Sequence, residues 1–406
     1  MSAALDGIKI IDLTQGVSGP FATRLLSQMG ARIVKVERPG VGDIIRAWDT
    51  IVNGMCSGHA WVNPGKESLA LDLKTQEGRD ILIELVKGAD VLFENFVPGT
   101  MEDWGFTWEQ LNELNPRLLY CRISGFGQEE GPYRTRSALD LIVQGEAGLI
   151  YTNGTPETPC KISLSLCDIS ASMYATMSIL EALYHREKTG EGQQIQVALF
   201  DSVMTWTGYF PYMYWHGGKV PDRVGLHHHT MAPYGPYPTK GGQMVIVAGG
   251  AGNPAHWRRF CEAINRPALS EDPRFATNAL RLANRELMDE KICEAMMEHD
   301  REYWLARFHE AGFPSGAMND MAGALEHPRI KSRGLIKQVD SAVGKVNVFD
   351  FPAQFSSLES VNKLGPPALG EHSASVLSEL GFTDERIAEL QASGVVQMPQ
   401  PYGAKA

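Results

Sequence analysis

Over its first 200 residues the chain alternates short apolar runs with stretches whose apolar residues recur at helical spacing. That alternation admits few folds, because parallel strands need helical crossovers and both faces of their sheet must then be covered. Residues 8–13 read as a strand, and residues 20–29 as a helix with Pro20 in its first turn and Gly30 closing it. Residues 32–36, 69–73, 91–94, 118–123 and 194–199 repeat the strand pattern, with helices between them such as 77–86. The expected architecture is α/β, with a large Rossmann-like domain around a mostly parallel sheet.

The pattern changes near Gly208. The run Gly208 to Gly218 is aromatic and then turn-rich, as a crossing segment would be, and 244–248 reads as a strand. Helical patterns follow at 257–264, 286–298 and 301–311; β-like runs return at 335–339 and 346–351; helices at 372–380 and 384–392 come last. The expected domains are 1–208 (large domain, first part), 209–330 (linker and a smaller α+β domain) and 331–406 (return to the large domain). A chain of 406 residues is long for one domain, which agrees with that division.

Charge narrows the partners. A formal net charge of −11 argues against nucleic acid, whose binding needs a basic face, though not against one anionic ligand held by a few local cations. The opening Met1 to Asp6 shows no basic segment followed by an apolar core, and no apolar run approaches the roughly 18 residues of a bilayer span. The six cysteines include no C-x-x-C pair. Reduced thiols in a cytoplasmic protein, without a zinc site, are the expectation.

Chemistry is most concentrated at Pro159 to Asp168, which runs directly into the amphipathic segment 169–184. There a carboxylate meets the start of a helix, where backbone N–H groups and the dipole favour its ionised form. Asp168 is either a helix cap or a nucleophile toward an activated acyl group. Gly249-Gly250-Ala251-Gly252-Asn253 is either a plain turn or a glycine loop covering a reactive intermediate. Arg38, Lys66, Lys74, Arg134 and Arg136 lie near expected strand ends or loops, and together could hold a phosphate-rich ligand. Gly16-Val17-Ser18-Gly19-Pro20 fails the dinucleotide-binding spacing despite Glu37 ending the second strand, and neither a P-loop nor a G-x-S-x-G elbow is present. Adjacent His227, His228 and His229 point different ways, so a shared metal is not expected.

Ordered stretches along nearly the whole chain resemble one family. They include Gly30 to Gly40, Leu71-Asp72-Leu73-Lys74, Glu94-Asn95-Phe96-Val97-Pro98-Gly99, Ser124-Gly125-Phe126-Gly127, Asp272-Pro273-Arg274-Phe275 and Leu369-Gly370-Glu371-His372. The family is the class III CoA-transferases, of CaiB/BaiF type. The resemblance implies that Asp168 attacks an acyl-CoA thioester, giving a mixed anhydride and then an aspartyl-CoA thioester, with Gly249 and Gly250 shielding the anhydride. It further implies that Arg38, Leu71, Lys74, Asn95, Phe96, Arg136 and Asp140 hold the CoA co-substrate. No tightly bound cofactor or metal is implied. The same resemblance implies a ring-shaped subunit in an interlocked homodimer.

Departures from the pattern shape the substrate expectation. Asp103 stands where formyl-type members carry a cation, and Val17 replaces their glutamine, with Gln15 two residues earlier. Ala138-Leu139-Asp140 lacks the histidine that related 2-methylacyl-CoA racemases need as a proton carrier. The segments around His59, Ser137 and Ala232 are most similar to the subgroup that uses succinyl-CoA to activate C4–C5 dicarboxylates such as itaconate, mesaconate, citramalate or malate. Val17, His59 and His229 are then the expected substrate contacts, with His59, Arg38 or one of His227 to His229 facing the second carboxylate. The alternatives are a monocarboxylic or aromatic acid as acceptor, or an inactive CoA-binding protein.

Overall fold

The computed structural model describes residues 3–249 and 254–399. Its strands, in chain order, are β1 (Lys9–Asp12), β2 (Arg32–Glu37), β3 (Lys66–Leu71), β4 (Val91–Glu94), β5 (Leu119–Ser124), β6 (Gln193–Ala198), β7 (Tyr234–Pro238), β8 (Met244–Ala248), β9 (Ser315–Ala317), β10 (Ile336–Ser341), β11 (Gly344–Phe349) and β12 (Val396–Gln397). The chain divides into two compact units. The first comprises 1–149, 162–212 and 329–406, and the second 150–161 and 213–328. The segment 150–161, expected to be continuous with the large domain, groups with the second unit.

The first unit is built on a seven-stranded sheet in the order β12-β3-β2-β1-β4-β5-β6. The pairs β1–β2, β2–β3, β1–β4, β4–β5 and β5–β6 are parallel, and only β12 runs antiparallel, against β3. Nearly every residue of the central strands is buried, charged ones included, because both faces of the sheet are covered. Side chains of neighbouring residues alternate between the faces. Ile11, Val34 and Leu92 enter one core with Leu82 and Leu85 of the helix Gln76–Lys87, while Ile10, Ile33, Val91 and Phe93 enter the other. That second core is closed by Ala22 and Leu26 of the helix Ser18–Gln28 and by Ala171, Ala175 and Ile179 of the 24-residue helix Leu166–Thr189. Small residues on the long helix let it lie close to the sheet, and Gly190, at φ +80°, ends it in the left-handed region.

The expected strands and helices of the sheet are present, with one informative displacement. The strand expected at 69–73 is found at Lys66–Leu71. Lys66 and Ser68 are polar yet fully buried, because internal partners satisfy them. β12 has no counterpart among the expected strands. In the second unit, β7, β8 and β9 form an antiparallel sheet. Beside it lies an aromatic core of Trp257, Phe260, Phe275, Trp304, Phe308 and Phe313. Among the described residues no helix is long and apolar enough to cross a membrane.

Candidate active site

Strand order reverses between β1 and β4, and open parallel sheets bind ligands outside the carboxyl ends at such a point. Two loops leave the sheet there: Leu13 to Val17 after β1, and Asn95-Phe96 after β4. They are tied by one amide. Asn95 Oδ1 accepts from Gln15 N–H at 2.8 Å, and its Nδ2 donates to Gln15 O at 2.8 Å and to Ser18 Oγ at 3.3 Å. Gly16 takes φ +72°, a conformation that favours glycine, and donates its N–H to Asp43 Oδ1 at 2.8 Å. The chain then turns into the helix Ser18–Gln28.

The long helix brings Asp168 to the same place. Ser172 Oγ donates to Ser18 O at 2.5 Å and to Asp168 O at 2.7 Å, so the turn carrying Asp168 is clamped beside the start of the Ser18–Gln28 helix. Asp168 is the third residue of its helix, and the cap position belongs to Ser165. The capping alternative for Asp168 therefore fails. One orphan N–H group of that first turn is served from outside: Asp140 Oδ1 accepts from Cys167 N–H at 2.8 Å. Asp140 Oδ2 accepts from Gln144 Nε2 at 2.7 Å, and buried Gln144 in turn binds Ile162 N–H and Ile162 O on the approach to the helix.

No hydrogen bond reaches the Asp168 carboxylate from the described residues. Burial, and secondly the negative charge of Asp140, push its pKa up to about 7. This corrects the expectation that N–H groups and the dipole keep it ionised: the first-turn N–H of Cys167 goes to Asp140 instead, whose charge then opposes a second one nearby. The neighbouring Cys167 thiol is held well above its ordinary value, by burial first and then by Asp140. It is not a competing thiolate nucleophile.

The structure places the other expected residues as follows. Arg38, directly after β2, and Lys74, three residues beyond β3, are exposed at the carboxyl edge of the sheet. Arg136 is also exposed; it pairs with Glu146 and lies over the Phe126 ring, 5.2 Å from its centroid. Phe96 packs edge-on to Trp104, with centroids 5.5 Å apart. Leu71 is sealed in the core, so a ligand could meet only its main chain. Val17 packs its side chain against Ile45, Cys56 and Val62, leaving likewise only its backbone.

Two expectations are overturned by burial. His59 has no exposed surface, its Nε2 lies 3.0 Å from Pro367 O, and its Nδ1 lies 2.9 Å from Asn63 Nδ2. Burial, then the charge of Arg46, lowers its pKa to about 3, so it is a neutral core histidine and not a cation for a substrate carboxylate. Lys66 is equally inaccessible, pairing with Asp12 at 3.1 Å and donating to Pro20 O at 2.9 Å, and so cannot hold a ligand phosphate.

Gly249 and His229 belong to the second unit, and Gly250 lies outside the described residues. Gly249 donates its N–H to Pro233 O at 3.0 Å, and a Cβ there would come within 2.1 Å of the Phe260 ring. Gly249→Ala is expected to destabilise the protein by about 1–3 kcal/mol through overpacking, measured by chemical denaturation. The three histidine rings find separate neighbours: His227 Nε2 is 3.7 Å from Asp289, His228 stacks on Tyr234, and His229 Nε2 is 3.0 Å from Asp222 O.

Sequence reasoning missed Gln144 and the buried charges Asp12, Lys35 and Asp43. A signal was available for Lys35 and Glu37. They alternate within a central strand of a parallel sheet, where a charge persists only with internal partners.

Comparison with known proteins bears on the family and the fold. Residues 5–373 match the model of CoA-transferase family III. Succinyl-CoA:glutarate CoA-transferase of Homo sapiens is 33% identical, covering 98% of this chain and 91% of its own length. Acetyl-CoA:oxalate CoA-transferase of Acetobacter aceti is 35% identical, covering 94% and 97%. A crystal structure of a CAIB/BAIF family protein from Brucella suis superposes with a TM-score of 0.84 at 34% identity, covering 94% of this chain and all of its own. On the span of that family match and the extent of these likenesses, the chain belongs to CoA-transferase family III and is a CoA-transferase.

Proposed function

We propose that the protein moves CoA from succinyl-CoA to a free C4–C5 dicarboxylate, of the class of itaconate, mesaconate, citramalate or malate, through the carboxylate of Asp168. The observation that carries this reading is the Asp168 carboxylate itself. It sits at the switch point of the sheet and accepts no hydrogen bond from the described residues, while Asp140 beside it has both oxygens engaged. A desolvated carboxylate without partners is a stronger nucleophile than a solvated one.

The steps balance without an outside reagent. An Asp168 oxygen bonds to the thioester carbonyl carbon, the C–S bond breaks, and CoA leaves as thiolate from a mixed anhydride. The thiolate then attacks the aspartyl carbonyl, releasing the donor acid as carboxylate and leaving an aspartyl-CoA thioester. The acceptor carboxylate attacks that thioester, expelling CoA thiolate, which finally attacks the acceptor carbonyl and regenerates Asp168. Exposed Arg38, Lys74 and Arg136 are offered as cations for CoA phosphates, and the segment at Gly249 and Gly250 as the shield of the anhydride. Asp140 and Asn95 act as positioning residues in this reading, since their polar atoms are engaged by other groups of the protein itself.

The dicarboxylate class is supported by a relative named for glutarate, and an acetyl-CoA donor is the arm to test because another relative is named for it. The racemase alternative is disfavoured: Ala138-Leu139-Asp140 occupies the segment in which a racemase carries its His-Asp pair, and no histidine stands there as a proton carrier. An interlocked homodimer in the cytoplasm completes the proposal. A panel of succinyl-CoA and acetyl-CoA against dicarboxylic, monocarboxylic and aromatic acids tests it, and transfer only to monocarboxylic or aromatic acids would reject the substrate class.

The nucleophile must be ionised, so kcat/KM is expected to fall about tenfold per pH unit on the acid side of a midpoint near the Asp168 pKa of about 7. Asp140→Asn keeps an oxygen for Cys167 N–H but removes a negative charge, and should move that midpoint to lower pH. A pH–rate profile that is unmoved, or moved upward, contradicts this coupling.

A further inference from the structure

The loop Leu13 to Val17 makes few regular backbone hydrogen bonds, and its shape is set by side chains beneath it. Thr14 donates its N–H to Asp12 Oδ1 at 2.9 Å and its hydroxyl to the same oxygen at 2.5 Å. Thr14 O accepts from Lys35 Nζ at 2.6 Å, and the same ammonium lies 2.9 Å from Asp43 Oδ2. The other Asp43 oxygen takes Gly16 N–H at 2.8 Å. Lys66 balances Asp12 at 3.1 Å and holds Pro20 O in the first turn of the following helix. Asp43 is itself braced, since its N–H donates to Glu37 Oε1 at 3.1 Å and Glu37 pairs with Arg46.

Asp12, Lys35, Asp43 and Lys66 expose 1% of their surface or less. Burying two cations and two anions is costly unless each is paired, and a hydrophobic filling of the same volume would often be as stable. A filling of that kind could not aim hydrogen bonds at both ends of an irregular loop. Both peptide groups of Gln15 are gripped by Asn95, and Ser172 joins Ser18 to the turn bearing Asp168. The staple, the loop and the backbone turn that carries the nucleophile thus form one continuous hydrogen-bonded path, which ends at Asp168 O.

We propose that Lys35 is a positioning residue of CoA transfer, its buried ammonium stapling Thr14 O to Asp43 so that the Thr14–Val17 loop is held at a fixed distance from Asp168. This inference rests on the reading of Asp168 as nucleophile. A loop displaced by about 1 Å costs on the order of 10²-fold in a reaction that depends on orientation.

The test uses the full chain and the exchange of isotope-labelled succinate into succinyl-CoA. The double variant Lys35→Met/Asp43→Asn removes both charges of the ion pair, while the amide oxygen introduced by Asp43→Asn still accepts from Gly16 N–H. The expected result is a folded protein by circular dichroism whose kcat falls about 10–100-fold, with KM for succinyl-CoA changed less than about threefold. Should this variant not fold, Asp43→Asn alone, which leaves no cavity, is expected to lower kcat at least about fivefold. A folded variant with kcat within about twofold of the parent, or with the loss confined to KM, overturns the proposal. Asp168→Ala measured beside it separates the two readings. Exchange persisting in Asp168→Ala sinks the nucleophile whatever Lys35 does, whereas its loss, together with normal kcat in the Lys35 variant, sinks only the staple.

Discussion

Asp168→Ala is expected to lower kcat for CoA transfer by about four orders of magnitude or more, because in the proposed mechanism it removes the covalent nucleophile and leaves only binding and orientation. The companion variant Asp168→Asn should be equally inactive yet more stable than the parent above neutral pH. The native carboxyl has its pKa raised from 3.8 to about 7, so the folded state binds this proton more tightly than the unfolded chain does. The resulting stabilisation is complete below about pH 4 and is lost as pH rises through 7, where the folded protein carries a charge it solvates poorly. Asparagine has no such charge, and at pH 8 it should gain about 1–2 kcal/mol after allowance for partial exposure. Thermal denaturation at pH 5 and pH 8 checks the sign: the advantage of Asp168→Asn must grow between them. An equal advantage at both values would show that the carboxyl is not desolvated.

Lys66→Met is expected to destabilise the protein by about 3–5 kcal/mol, because it strips the partner from an anion with no solvent access. Burial alone would raise the pKa of Asp12, but Lys66 and then Lys35 pull it down to about 2, which marks how far the carboxylate relies on those cations. KM for succinyl-CoA should stay within about threefold, since a lysine sealed under the sheet edge does not meet the ligand's phosphates. Denaturant titration gives the first quantity and steady-state kinetics the second. A large rise in KM with normal stability would instead return Lys66 to the CoA site.

Lys66 also shows why part of the site was hidden. Read along the chain, a lysine near a strand end looks like a surface cation, and Arg38, Lys74 and Arg136 share that appearance. The last three are exposed, while Lys66 is inside, because Asp12, 54 residues earlier, arrives on the neighbouring-but-one strand to receive it. Periodicity describes which way a side chain points from its own strand, not what stands opposite. His59 misled in the same way: its ring is closed off by Pro367, more than 300 residues away. β12 was too short to carry any pattern, and it exists because β3 has an open edge to pair with.

The alternation of apolar strands and amphipathic helices determined by itself that a parallel sheet would form, since no other packing covers both faces of such strands. The ordered motifs likewise determined the family, and the chemistry of Asp168 was legible as a possibility beside a helix start. Tertiary structure alone decided that Asp168 has a raised pKa instead of an ordinary one. That property comes from burial and from the charge of Asp140 on another helix, and both are set by distances in space that no local pattern encodes.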